Sequence, residues 1–274
     1  MRIRLENCDK APSLIERLEV ADLNRRSVNV GIESVKAEII YHQYRGFEVK
    51  ALLVSFGGET RRVLSTWDGY RRVKFVANVH VPTSLAYQTM TDYEIFMLEY
   101  PTSLGLNPQE MAFISTAADM DNVAICARSY GEFAVTCLAT GGTGNAMRSG
   151  VDKAEWLEKN GRFEHAPGTI NMLILSNMAL SEGAMARAII TATEAKTAAL
   201  QDLDVKSAFS PNLQATGTGT DNMIVVSGRD SAPMVYWTGG HTKMGELIAV
   251  TARLAVIEAL EKQEGRRMPA KGNV

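Results

Sequence analysis

The sequence has no run of about 18 apolar residues, the length a helix needs to cross a bilayer. Its opening, MRIRLENCDK, lacks the apolar stretch of a secretory leader, so a cytoplasmic protein without membrane insertion is expected. Cysteine is scarce: Cys8, Cys126 and Cys137 are odd in number and have no CxxC spacing. That argues against a disulfide framework or a cysteine zinc site and suits a reducing compartment, with Cys126 and Cys137 read as small core residues. Neither sign of charge dominates, with 29 Lys+Arg against 31 Asp+Glu. A nucleic-acid or anionic-membrane partner therefore has no electrostatic footprint. Several site signatures are also missing. No HExxH and no histidine pair at i, i+4 occur, so no metal is expected, although a tertiary His80, Asp221 and His241 site stays open. GxxxxGK[ST], a strand–helix GxGxxG and a GxSxG elbow are absent as well.

What is present is ordinary globular composition: 274 residues, 46% hydrophobic and 22% charged. This length suits one domain or two tightly joined halves. Residues 1–274 are read as a single domain, with 1–35 an N-terminal adaptor and 265–274 a flexible tail. Ser13 with Glu16 forms a possible capping box in the adaptor. AEIIYHQ and EVKALLVSF flank Arg45-Gly46 as a hairpin, and NVAICARS with EFAVTCLAT reads as a second. RRVLSTW, RVKFVANVHVP, EMAFISTAADM, MIVVSG and MVYWTGG are further strands, and GTINMLILSNMAL is a fully buried one. Residues 84–106 turn helical, with Pro101 forcing an end nearby. The chain closes with a helix over KMGELIAVTARLAVIEALEKQEG, stopped by Gly265. The fold class expected is α/β, with mixed sheets, a buried central helix and a C-terminal helix in layers. KAEWLEKNGRFEH, with His165, reads as an exposed connection, and His42 as a plain strand histidine.

The central stretch is 191–222. A helix reaching back to the N-cap Ser181 carries only Arg187, Glu194 and Lys196 as charges between Ala184 and Leu200. Such an apolar helix is expected to lie between layers. Glu194 and Lys196 stand about 200° apart and cannot pair with each other across one turn. They are either held by tertiary partners or water, or they serve a charged site. After the helix, ATGTGTDN sets Gly217 and Gly219 among Thr218 and Thr220 before Asp221, a loop that lets a ligand approach the backbone. Ala139-Thr140-Gly141 followed by Asn145 echoes Ala215-Thr216-Gly217 followed by Asp221, either as facing loops of one cleft or by chance. Asn78 and His80 share one face of their strand, either a solvent face or a site face. Asn171 opens the buried strand.

His241 follows Gly239-Gly240 and precedes a helix N-terminus, where N–H groups can hold an oxyanion while the imidazole moves a proton. Asp221 is the carboxylate expected to orient it. Glu194 is a second possible base, and Lys196 an electrostatic partner for a carboxylate or oxyanion. The nucleophile is either an activated water or a hydroxyl, with Thr220 and Thr242 nearest.

TATEAKTAAL, ATGTGTD and GGHTKMGELI, in that order and spacing, resemble the adenosylcobinamide amidohydrolases of the CbiZ type. GTIN at 168–171, ATGGTGNAMRSG at 139–150, VLS at 63–65 and VANVHVP at 76–82 fit the same pattern, so the resemblance spans about residues 50–260. Two departures stand out: Gly240 where a Thr is expected before the histidine, and Val151 between Gly150 and Asp152. The resemblance implies hydrolysis of the amide joining aminopropanol to the corrin ring, converting adenosylcobinamide to adenosylcobyric acid and 1-amino-2-propanol in corrinoid salvage. Cleavage of complete cobamides and non-catalytic corrinoid binding are the alternatives. It implies a corrinoid as substrate, with no separate cofactor. His241, Asp221, Glu194 and Lys196 would be catalytic. Asn78, Asn145, Asn171, Gly217, Thr218, Gly219, Thr220 and Thr242 would bind substrate. No DxHxxG surrounds His241, so a histidine replacing the cobalt's lower ligand is not expected.

Overall fold

The computed structural model describes residues 24–154 and 168–267. Two mixed β-sheets stack face to face, and helices cover each outer face, giving four layers. The first sheet is ordered β1 (Asn24–Val28), β2 (Lys36–Tyr44), β3 (Phe47–Ser55), β6 (Phe75–His80), β7 (Met111–Thr116). The second is ordered β5 (Gly69–Val73), β4 (Arg61–Ser65), β12 (Asn222–Val226), β10 (Ile170–Ser176), β9 (Phe133–Gly141), β8 (Ala124–Tyr130). Helices α1 (Thr83–Thr91) and α2 (Tyr93–Ser103) cover the first sheet. Helices α3 (Glu182–Asp202) and α4 (Lys243–Glu264) cover the second. A short ribbon pairs β11 (Ala179–Leu180) with β13 (Met234–Val235). Each sheet holds one parallel pair, β6–β7 and β10–β12, and each pair is bridged by helices as parallel connections require. No helix among the described residues is long and apolar enough to cross a membrane.

The two-residue period of a strand sorts the core into layers. On β10, Leu173 and Leu175 face the first sheet, whereas Met172 and Ile174 face α3 and α4. All seven residues of β10 are buried, so the continuous apolar run of the sequence is a central strand covered on both sides. Both expected hairpins form. Tyr44 pairs with Phe47 across Arg45-Gly46, and Tyr130 with Phe133. The expected helix caps form as well: Ser181 accepts from the Ala184 N–H, and Gly265 closes α4 in the left-handed conformation.

Three expectations need correction. RVKFVANVHVP is two strands in different sheets, because the chain crosses layers at Lys74, whose N–H donates to the Glu110 carbonyl at 2.8 Å. MVYWTGG contributes only Met234 and Val235 to a strand, and Tyr236 and Trp237 are exposed. Helix α3 is buried along one stripe of mostly small residues, Ala184, Ala188, Ala192, Ala195 and Ala199, in an outer layer. Small side chains there let α4 and the sheet approach closely, which is why the helix reads as apolar without being enclosed all round. Residues 24–28 of the supposed adaptor form β1, and Arg266 of the supposed tail bonds to Thr143 and Glu264. Cys8, the Ser13–Glu16 box, most of the 153–165 connection with His165, and residues 268–274 lie outside the described residues. Cys126 and Cys137 are buried free thiols on paired strands, and burial pushes the Cys137 thiol up.

His42 is buried on the face of β2 turned toward α2, its ring 5.6 Å from that of Tyr100. Neither ring nitrogen makes a well-formed hydrogen bond among the described residues, and burial pushes its pKa down to about 4 against a weaker opposing pull from the Ile40 backbone. The unfolded chain therefore binds more protons than the folded one between about pH 6.5 and 4. Stability is full above the unfolded value and falls as pH drops through this window, by up to about 3 kcal/mol. Urea titrations of wild type and His42→Phe at pH 7 and pH 4.5 check this. The wild type is expected to lose the larger share of its stability on acidification, and equal losses would overturn the assignment.

Candidate functional site

Because β10 runs parallel to β12 and antiparallel to β9, the starts of β10 and β12 and the end of β9 meet at one end of the second sheet. The loops 141–152, 168–169 and 215–221 converge there. The two Gly/Thr segments that echo each other in sequence are hydrogen-bonded neighbours: Met147 N–H donates to the Gly217 carbonyl at 2.8 Å, and Thr216 N–H to the Met147 carbonyl at 2.9 Å. Asp152 fixes the outer part of the first loop through Ser207 and Ser210, at 2.6 and 2.5 Å, so Val151 does not detach it.

At this junction Lys196 reaches from α3 to the Asp221 carboxylate. Both are largely shielded, with side chains 7% and 17% exposed, so the pair gains from a low local dielectric and from hydrogen bonds on both oxygens. Asp221 Oδ1 accepts from Thr218 Oγ1 at 2.5 Å and Ile170 N–H at 3.0 Å, while Oδ2 takes Lys196 and Thr218 N–H at 3.2 Å. With four donors on two oxygens, Asp221 acts as the anchor of the loop and the counter-ion of Lys196. The ammonium has three donors, and among the described residues Asp221 is the acceptor of one. A Cβ on Gly217 would lie 2.5 Å from Asp221 Oδ2 and 2.7 Å from Lys196 Nζ, so the glycine is what lets the pair close.

A second network continues on the other side of the sheet, between the two sheets. Asn171 donates to Asn78 Oδ1 at 2.9 Å and to the Ser115 carbonyl at 2.8 Å, and Asn78 donates to Thr140 at 2.8 Å. Thr169 Oγ1 bonds Asn171 Oδ1 at 3.3 Å and the Thr220 carbonyl at 2.6 Å. Thr220 Oγ1 donates to the Gly168 carbonyl at 2.6 Å, lies 3.2 Å from Thr218 Oγ1 and receives Asn145 Nδ2 at 3.5 Å. Buried amides satisfied in this way hold the loop ends rigid. Gly219, Thr220 and Asp221 present the accessible side of the junction, while Thr218 and Asn145 are buried. His80 is half-buried on the Asn78 face of β6, its Nδ1 3.0 Å from the Ala118 carbonyl.

Lys196, Asp221, Asn78, Asn145, Asn171, Gly217, Thr218, Gly219 and Thr220 thus come together. His241, Thr242 and Glu194 do not. Met244, just after His241, touches Ser176 at the far end of β10, whereas Asp221 binds Ile170 at its start. Six strand steps of about 3.3 Å separate the two ends by roughly 20 Å. Asp221 therefore cannot orient His241, which is exposed. Thr242 is the N-cap of α4, accepting from the Gly245 N–H at 3.1 Å and donating to the Gly239 carbonyl at 2.9 Å. Glu194 points to solvent from the outer face of α3. Thr140, Thr169, Ser115 and Met147 escaped the sequence reading. Thr140 stood in the Ala139-Thr140-Gly141 echo, and Thr169 and Met147 within the GTIN and ATGGTGNAMRSG segments, but none was singled out, and the pairing of Thr140 opposite Asn171 came from tertiary structure.

The comparisons with known proteins bear on this geometry. A family model described as adenosylcobinamide amidohydrolase matches residues 33–268. The uncharacterized protein MJ1613 of Methanocaldococcus jannaschii is 42% identical over 228 residues, covering 79% of this chain and 88% of that protein. The adenosylcobinamide amidohydrolase of Methanosarcina mazei is 26% identical over 224 residues, covering 78% of this chain and 97% of that protein. Among solved structures, the PH0078 protein of Pyrococcus horikoshii aligns over 85% of this chain and 84% of its own, at 13% identity and a TM-score of 0.44. The family model and the Methanosarcina mazei protein share one description, and the match spans every loop of the junction: the chain belongs to the adenosylcobinamide amidohydrolase family.

Proposed function

We propose that this chain hydrolyses the amide joining aminopropanol to the corrin ring, converting adenosylcobinamide and water to adenosylcobyric acid and 1-amino-2-propanol. The observation that carries the reading is the shielded Lys196–Asp221 pair at the loop junction. Water adds to the amide carbonyl carbon, and negative charge develops on the carbonyl oxygen. Lys196 stabilises that charge with its other N–H groups, in a setting of low dielectric where such a donor is worth most. The C–N bond then breaks, and the amine leaves with the proton that the attacking water gives up. Asp221 holds the ammonium in position. Thr220, the hydroxyl of the junction nearest solvent, contacts the reacting amide or the attacking water. Asn78 and Asn171 fix the strand ends that carry these groups.

The direct test is incubation of the purified protein with adenosylcobinamide, with and without chelator, and product analysis by mass. Adenosylcobyric acid with aminopropanol is expected, and activity is expected to survive the chelator. Bound but intact substrate would replace the reading with a binding role. Cleavage of complete cobamides alone would move the substrate.

Asp221→Asn and Lys196→Met are each expected to lower kcat/KM by about 10²–10³-fold, the usual loss for a preorganised charge. His241→Ala and Glu194→Ala are expected to stay within about threefold of wild type. Near-normal turnover by Lys196→Met, with circular dichroism unchanged, would remove Lys196 from the reaction. Gly217→Ala is a steric probe of the same pair. Its methyl must push Lys196 from Asp221, so a loss of about 1–3 kcal/mol in urea unfolding is expected together with reduced turnover. A variant as stable and as active as wild type would mean that the close approach is dispensable.

A further inference from the structure

At the opposite end of the sheet sandwich lies a cavity of about 240 Å³, bounded by the 31–35 loop, Phe56, Arg61, Ser176 and the segment 226–229. Arg61 is only 4% exposed, and its Nη1 has no hydrogen-bond partner among the described residues. The nearest carboxylate, Glu59, stands 3.3 Å from the other terminal nitrogen and is shared with Arg229 at 3.0 Å. Asp230 is likewise shared, between Arg62 at 2.9 Å and Arg72. Four arginines thus divide two carboxylates, and among the described residues the exposed Glu33 is the acid that lines the cavity itself. A buried guanidinium carries five donors and a charge that is costly to leave under-compensated. Its face meets the Phe56 ring at 5.9 Å, which supplies only weak compensation.

We propose that this cavity binds a small oxyanion, held by Arg61 from inside and Arg229 at the mouth. The volume falls below that of pockets for drug-sized ligands and suits an anion such as phosphate. Guanidinium forks match the geometry of such oxygens, and the excess of arginine over carboxylate gives the anion a net attractive field. Burial lowers the proton affinity of Arg61 below that of a free arginine, the mark of a cation short of partners.

Thermal unfolding of the full chain in inorganic phosphate, against chloride at matched ionic strength, tests the site. A saturable rise in Tm is expected for wild type, because an anion that binds the folded state alone stabilises it by mass action. Arg61→Met keeps the side-chain bulk and is expected to abolish the rise without lowering Tm in chloride, since an isosteric apolar group relieves the uncompensated charge. Arg229→Ala, at a 44% exposed position that tolerates truncation, is expected to raise the half-saturating phosphate concentration about tenfold. Acetate in place of phosphate compares a carboxylate head group, and a larger rise with acetate assigns the cavity to carboxylates. No rise with either anion in wild type, or an undiminished rise in both variants, would overturn the proposal.

Discussion

Stacking two sheets and covering both outer faces leaves their central strands with no solvent side. β10 is the extreme case, with every residue buried, and it touches β9, β12, the first sheet and α4. In such a strand a polar side chain is costly anywhere except at an end, where a loop or another buried amide can satisfy it. Asn171 sits at the first inward-facing position of β10, and Asn78, Thr140 and Asn222 continue the inward faces of β6, β9 and β12. The polar groups of the sandwich are thereby swept to its ends. One end became the loop junction with Lys196 and Asp221, and the other holds Arg61.

This constraint explains why the fold was readable in outline and less so in detail. Alternation and turn residues marked both hairpins, and the length of the GTINMLILS run marked a strand buried on both faces. RVKFVANVHVP gave no sign of its break because Val73 and Val76 both point into the space between the sheets. Their spacing of three residues is odd for one strand but natural for a chain that changes layers between them. A period of two, read across Lys74, cannot register such a crossing.

The junction was legible wherever its chemistry is local in sequence. Gly217, Thr218, Thr220 and Asp221 lie within five residues and bond mainly to one another and to the start of β10. Asn145 was found through a loop of similar composition, and Asn171 as the polar residue that opens the buried strand. The pairing of Asp221 with His241 failed for a plain reason: a glycine pair before a helix marks an N-terminus wherever it occurs, and says nothing of which end of the sheet that terminus meets. Thr242 uses its oxygen to cap that helix, and the Gly239 carbonyl would sit 2.0 Å from a Cβ on Gly245. Gly245 and the Thr242 hydroxyl are thus consumed in seating α4 against the preceding loop.

Glu194 and Lys196 carried equal weight in sequence, and helix geometry separates them. The buried stripe of α3 passes through positions 184, 188, 192, 195 and 199. At about 100° per residue, Lys196 falls beside Ala192 and Ala199 on that stripe, while Glu194 falls on the far side of the helix axis. A charge inside a stripe of alanines must find a partner, and a lysine stem is long enough to lie along apolar neighbours while its head reaches out of them. Asp221 is that partner, brought within reach because Gly217 has no side chain to intervene. The phase of the stripe, fixed by the alanines alone, therefore selects the one charge of the helix that the fold had to satisfy internally. That satisfied charge, placed where three loops meet, puts a shielded ion pair at one end of the sheet sandwich.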